Sequence, residues 1–226
     1  MAEIIVALDL PSGAEALELL DRLPEARWVK VGSILMTREG PPLIRALIGR
    51  GLLVFLDLKW HDIPNTVSGA VANARDLGVR MATVHALGGS EMLAAAGRAA
   101  GSDLAIVAVT VLTSHTSASF GEATGRNAPD LVQDAIRLSG KALEAGLSGV
   151  VCSPFEARAV RSALGAGPLI VVPGIRRPGD AVGDQTRTAA PAEAAAAGAT
   201  HLVVGRPVLQ AKDPAAAWAE LSYGVA

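Results

Sequence analysis

The chain has 226 residues, a formal net charge of −2 and a pI of about 6.1; 50% of its residues are hydrophobic but only 3% aromatic. That length suits one α/β domain, and without a basic excess there is no footprint for a nucleic-acid backbone. The single cysteine, Cys152, excludes an internal disulfide framework and cannot form a zinc site by itself, and no apolar stretch reaches the roughly 18 residues of a membrane span.

The N-terminal MAEIIVALDL has no basic segment leading into a signal-type apolar run, so a soluble, cytoplasmic protein is expected. Short apolar runs recur at residues 4–9, 28–32, 52–57, 81–85, 104–111, 149–153, 169–173 and 201–205. They are uninterrupted rather than alternating, as in parallel strands buried on both faces. With so few aromatics, the core must be Ala, Val, Leu and Ile.

Segments 14–23, 42–50, 65–77, 90–100, 130–145, 155–164, 191–197 and 214–221 read as helices. Ser12 and Asp213 stand where N-caps belong. Gly51, Gly78, Gly101, Gly146 and Gly198 follow helices and suit the left-handed residue that closes a last turn. The repeated βα pattern has no composition break. It predicts one domain over residues 1–226, a (β/α)8 TIM barrel rather than an open doubly wound sheet.

In such a barrel the strand C-termini form the active face. They carry Asp9, Lys30, Asp57, Lys59, His85, Thr113, Pro173, Gly205 and Arg206. Asp57 and Lys59 are two apart and would share a face of an extended strand, with Asp62 just beyond. Carboxylates near an ammonium hold it charged and fixed. Gly205 lets the backbone approach an anion, and Arg206 offers a planar fork for phosphate oxygens. The Gly- and Pro-broken loop at 176–187 has the length of a lid. His85 reads as a structural hydrogen-bonding residue and Cys152 as a buried thiol.

The run D-L-K-W-H-D-I-P-N-T, starting at Asp57, resembles the D-x-K-x-x-D-I-P-x-T signature of the orotidine 5′-phosphate decarboxylase family. The likeness extends to Asp9 in V-A-L-D, Lys30 in V-K-V-G, Thr113 in V-L-T-S, and P-G-I-R from Pro173 to Arg176. It also covers Gln185 in D-Q-x-R and the G-R-P that starts at Gly205. The resemblance implies cofactor-free, metal-free decarboxylation of orotidine 5′-phosphate to UMP, with Lys59, Asp57 and Asp62 as catalytic residues. Asp9 would hold ribose hydroxyls, Thr113 the pyrimidine, and Gly205 with Arg206 the phosphate. Lys30, Pro173, Arg176 and Gln185 complete the substrate site by the same likeness. It further implies a homodimer in which Asp62, Ile63 and Thr66 reach the neighbouring subunit's site.

Two rival readings stand beside this one. Sugar-phosphate enzymes of the same superfamily share D-x-K-x-x-D, but carry an acidic metal ligand near the end of strand two, where this chain has Lys30. A non-catalytic nucleotide-binding barrel would have no use for a lysine fixed between carboxylates.

Overall fold

The computed structural model describes residues 2–177 and 187–225. Its strands are β1 (Glu3–Ala7), β2 (Trp28–Gly32), β3 (Leu53–Trp60), β4 (Met81–His85), β5 (Ala105–Val109), β6 (Gly149–Val151), β7 (Leu169–Val172) and β8 (His201–Val204). They pair in sequence order, all parallel, and β8 closes onto β1 with Glu3 opposite His201 and Val6 opposite Val204. The helices are α1 (Gly13–Asp21), α2 (Ser33–Glu39), α3 (Pro41–Gly49), α4 (Pro64–Asp76), α5 (Gly89–Ala100) and α6 (Ser117–Thr124). Then come α7 (Leu131–Glu144), α8 (Pro154–Leu164), α9 (Pro191–Ala196), α10 (Arg206–Leu209) and α11 (Pro214–Tyr223). The predicted closed (β/α)8 barrel is the observed one.

The unbroken apolar runs follow from two separate cores. Ile5, Ala7, Phe55, Met81, Val107, Val171 and Val203 fill the barrel interior. Their strand neighbours, such as Val6, Val54, Leu56, Ala82 and Val172, face the helices in a second, larger cluster. Each strand therefore buries both faces, which leaves no polar alternation to read. Gly149 is the narrowest fit on the wall: a Cβ there would lie 2.1 Å from the carbonyl oxygen of Leu169.

The helix ends obey local chemistry. The Ser12 hydroxyl accepts from the Glu15 N–H, and Asp213 accepts from Ala215 and Ala216 N–H groups. Gly51, Gly78, Gly101, Gly146 and Gly198 all have positive φ, as their positions after helices predict. Four short pieces were not anticipated: α2, α6, α10 and a 3-10 turn at Ala86–Gly88. None of them is longer than eight residues. The third strand also runs to Trp60, beyond the predicted end at residue 57, and this extension shapes the site.

Candidate active site

A cavity of about 690 Å³ opens at the C-terminal ends of the strands. From the first three strands it takes Asp9, Lys30, Asp57 and Lys59. From the loops after β5, β7 and β8 come Thr113, Pro173, Arg176, Gly205 and Arg206. The floor is apolar, with Phe55 and Val203 from the barrel interior. Nine residues singled out in the sequence thus line one pocket.

The expected simple alternation along β3 is not what brings Asp57 and Lys59 together. Pairing with β4 runs Leu56 to Ala82 and then Trp60 to Val84, so two extra residues bulge from β3. Lys59 sits in this bulge with φ of +52°, a left-handed conformation uncommon outside glycine. Its Nζ nonetheless donates to Asp57 Oδ1 at 2.9 Å. Thr83 on β4, fully buried, stitches the bulge. Its hydroxyl accepts from the Lys59 backbone N–H at 2.8 Å and lies 3.0 Å from Asp57 Oδ1.

The charges alternate across the strand ends. Lys30, 8% exposed, donates to Asp9 Oδ1 at 2.9 Å and stands 3.6 Å from Asp57 Oδ2. Asp57 then meets Lys59. Gly32, beside Asp57 in the β2–β3 register, leaves this group room: a Cβ there would approach Lys30 Nζ at 3.2 Å and Asp9 Oδ1 at 3.3 Å. Burial by itself would raise the Asp57 carboxyl. The charges of Lys30 and Lys59 and hydrogen bonds from Lys59 and Thr83 outweigh it, so Asp57 is held below its ordinary value. It stays anionic at neutral pH, and one of its oxygens holds the Lys59 ammonium at 2.9 Å.

His85 Nδ1 accepts from the Leu87 N–H, and its ring stacks on His61 at 5.4 Å. Burial, then the nearby His61, Lys59 and His115, lower it to about 4, so it is neutral. Cys152 lines the cavity wall as a buried thiol that burial pushes up to about 12. Both match the structural parts expected of them.

Asp62, Ile63 and Thr66 are exposed and lie off the cavity lining. Asp62 accepts from the Ile63 N–H at 2.6 Å, and among the described residues it makes no ion pair with Lys59. The structure therefore does not gather these three with Asp57 and Lys59 within one chain. Gln185 lies outside the described residues. The flanks of its loop are tied together: Ile175 bridges to Ala189, and Arg176 N–H donates to the Ala189 carbonyl at 3.0 Å. Arg187 ion-pairs with the buried Glu156 at the start of α8 and donates to the Leu112 carbonyl at 2.8 Å. Sequence reading missed Thr83, and it met Arg187 only as the last residue of D-Q-x-R, with no role or partner assigned. Thr83 has one faint signal, a hydroxyl among the apolar Met81, Ala82 and Val84 of its strand.

Comparison with known proteins identifies the family. Residues 2–221 match the model of the orotidine 5′-phosphate decarboxylase / HUMPS family. A protein of Halorhodospira halophila named orotidine 5′-phosphate decarboxylase is 52% identical, covering 99% of this chain and 95% of that one. Its namesake from Alkalilimnicola ehrlichii is 50% identical over 100% of this chain and 97% of its own. The crystal structure of orotidine 5′-phosphate decarboxylase from Lactobacillus acidophilus superposes with a TM-score of 0.87 at 35% identity, covering 100% of this chain and 99% of that one.

Proposed function

The chain belongs to the orotidine 5′-phosphate decarboxylase / HUMPS family, and from that membership we propose that Lys59 stabilises and then protonates the carbon that loses CO2. The reaction is the decarboxylation of orotidine 5′-phosphate to UMP, a step of pyrimidine biosynthesis. The observation that carries the role of Lys59 is the alternating Asp9–Lys30–Asp57–Lys59 row ending in an ammonium at the cavity.

As the bond from C6 to the carboxylate breaks, its electron pair stays on C6 and CO2 departs. The ring delocalises that charge poorly. An ammonium about 4 Å away, at an effective dielectric near 20, contributes about 4 kcal/mol, roughly three decades of rate. The same ammonium then gives its proton to C6 and is recharged from solvent. Asp57 holds the Lys59 ammonium in place. The rest of the barrier reduction comes from positioning by remote groups. Gly205 and Arg206 take the phosphate, and by family likeness Arg176 and Gln185 also bind substrate. Asp9 and Lys30 take the ribose side, and Thr113 and Pro173 face the pyrimidine.

We further propose a homodimer in which Asp62, Ile63 and Thr66 complete the neighbour's site. Ile34, Ile63 and Leu87, at 60%, 67% and 41% exposed, follow β2, β3 and β4 in turn on the face that carries Lys59, and a second copy would cover them. The whole chain acts as one barrel unit, and we place it in the cytoplasm. Among the described residues, no helix is long and apolar enough to cross a membrane.

The sugar-phosphate branch of the family is disfavoured by Lys30, which neutralises Asp9 and Asp57, the carboxylates a divalent ion would need. The decisive assay follows loss of orotidine 5′-phosphate absorbance with the purified chain. Turnover persists in EDTA and disappears in Lys59→Ala. Turnover that needs a divalent ion, or that survives Lys59→Ala, overturns the proposed chemistry.

A further inference from the structure

We propose that Thr83 is a positioning residue of this reaction, acting through Asp57 and the Lys59 backbone without touching substrate; the inference rests on the assignment of Lys59 as the reacting ammonium. Thr83 is fully buried and is not among the residues lining the cavity. Its hydroxyl has one proton to give and lone pairs to receive. The Lys59 backbone N–H can only donate, and it points at Thr83 Oγ1 over 2.8 Å. The hydroxyl proton is then directed to Asp57 Oδ1 at 3.0 Å. One oxygen atom therefore fixes both ends of the catalytic pair.

Each end has a reason to need fixing. The register slip takes Lys59 out of the regular β3–β4 ladder, and its N–H finds a side chain instead. A buried N–H without a partner is costly, and a left-handed non-glycine backbone persists only where its surroundings hold it. Lys59, at φ of +52°, meets both conditions through Thr83. At the other end, Asp57 Oδ1 receives Lys59 Nζ at 2.9 Å beside the Thr83 hydroxyl, while Oδ2 faces Lys30 at 3.6 Å. Losing the hydroxyl frees the carboxylate to turn and the bulge to relax, and the ammonium moves with them. A threonine present only to fill the strand would share none of this, since valine fills the same volume.

The test compares Thr83→Val and Thr83→Ser with the unaltered enzyme, reading kcat, KM and affinity for UMP. A hydrogen bond to a charged group being lost, kcat in Thr83→Val falls by about 10- to 100-fold. KM and UMP affinity change by less than about threefold, because the interaction acts on the reacting centre and not on binding. Thr83→Ser, which keeps the oxygen, recovers most of the loss. Unchanged kcat in Thr83→Val overturns the proposal. So does equal damage in Val and Ser, or a parallel loss of UMP binding. If Thr83→Val does not fold, Thr83→Ser against Thr83→Cys decides, since these differ only in oxygen for sulfur; equal kcat in the two overturns it. Lys59→Ala in the same assay keeps the questions apart. An active Lys59→Ala sinks the assignment of Lys59 itself, whereas an inactive one beside an unimpaired Thr83→Val sinks only the role of Thr83.

Discussion

Substituting Asp57 with Asn removes the negative charge between two ammonium groups while nearly preserving shape. Lys59 Nζ lies 2.9 Å from Oδ1 and Lys30 Nζ 3.6 Å from Oδ2. At an effective dielectric near 20, these separations correspond to attractions of about 6 and about 5 kcal/mol. The Lys59 side chain is 39% exposed, so solvent screens its share. A net loss of about 2–4 kcal/mol in holding Lys59 is the reasonable figure. Asn still accepts from the Thr83 hydroxyl, but the two ammonium groups now repel across a neutral amide. The partly exposed Lys59 has room to turn away. If that loss falls on the transition state, kcat drops by about one and a half to three decades. Initial rates from orotidine 5′-phosphate absorbance, with UMP titration and thermal melting as controls, measure it. Turnover within about threefold of the unaltered enzyme, for a folded variant, refutes the reasoning. A pH signature accompanies it. Asp57 is held below its ordinary value near 4, so its stabilising contribution is complete above about pH 4 and is lost as pH falls through the lower native value. Asp57→Asn lacks that acid loss.

Arg206→Ala lowers kcat as well as raising KM, because phosphate binding energy is used at the reacting carbon; an effect on KM alone contradicts this. Mixing inactive Lys59→Ala and Asp62→Ala chains restores activity through hybrid dimers with one intact site, and no recovery argues against shared sites. His85 gives an opposite sense from a paired histidine: its native value near 4 lies below the unfolded 6.5, so stability is complete above about pH 6.5 and declines as pH falls toward 4. Allowing for its partial exposure, the decline is on the order of 1–2 kcal/mol. His85→Asn, which can still accept from the Leu87 N–H, flattens that part of the urea-denaturation profile; an unchanged slope removes His85 as its source.

The strands were legible because closing a parallel barrel buries both faces of each one, and runs such as that at Ala105–Val109 have no other reading. Asp9, Lys30 and Asp57 could be placed because a charge at the end of an apolar strand must face the mouth. The bulge at Lys59 could not be foreseen. Nothing in D-L-K-W signals a left-handed lysine, and it is the partner strand that holds it there. Thr83 was hidden because threonine favours strands on propensity alone. The partners of Arg187, Glu156 and the Leu112 carbonyl, were hidden because they are 31 and 75 residues distant in the chain. Asp62 was placed near Lys59 by spacing, but the chain turns it outward at the entry to α4.

The row Asp9–Lys30–Asp57–Lys59 sums to zero formal charge. A lone cationic catalyst in a crevice would form a deep electrostatic trap for any anionic nucleotide, spent product included. Here each ammonium is cancelled by a neighbour until chemistry places fresh negative charge beside it. The strand ends can thus be strongly polar toward a reacting carbon yet almost featureless at long range, which lets an anionic product depart.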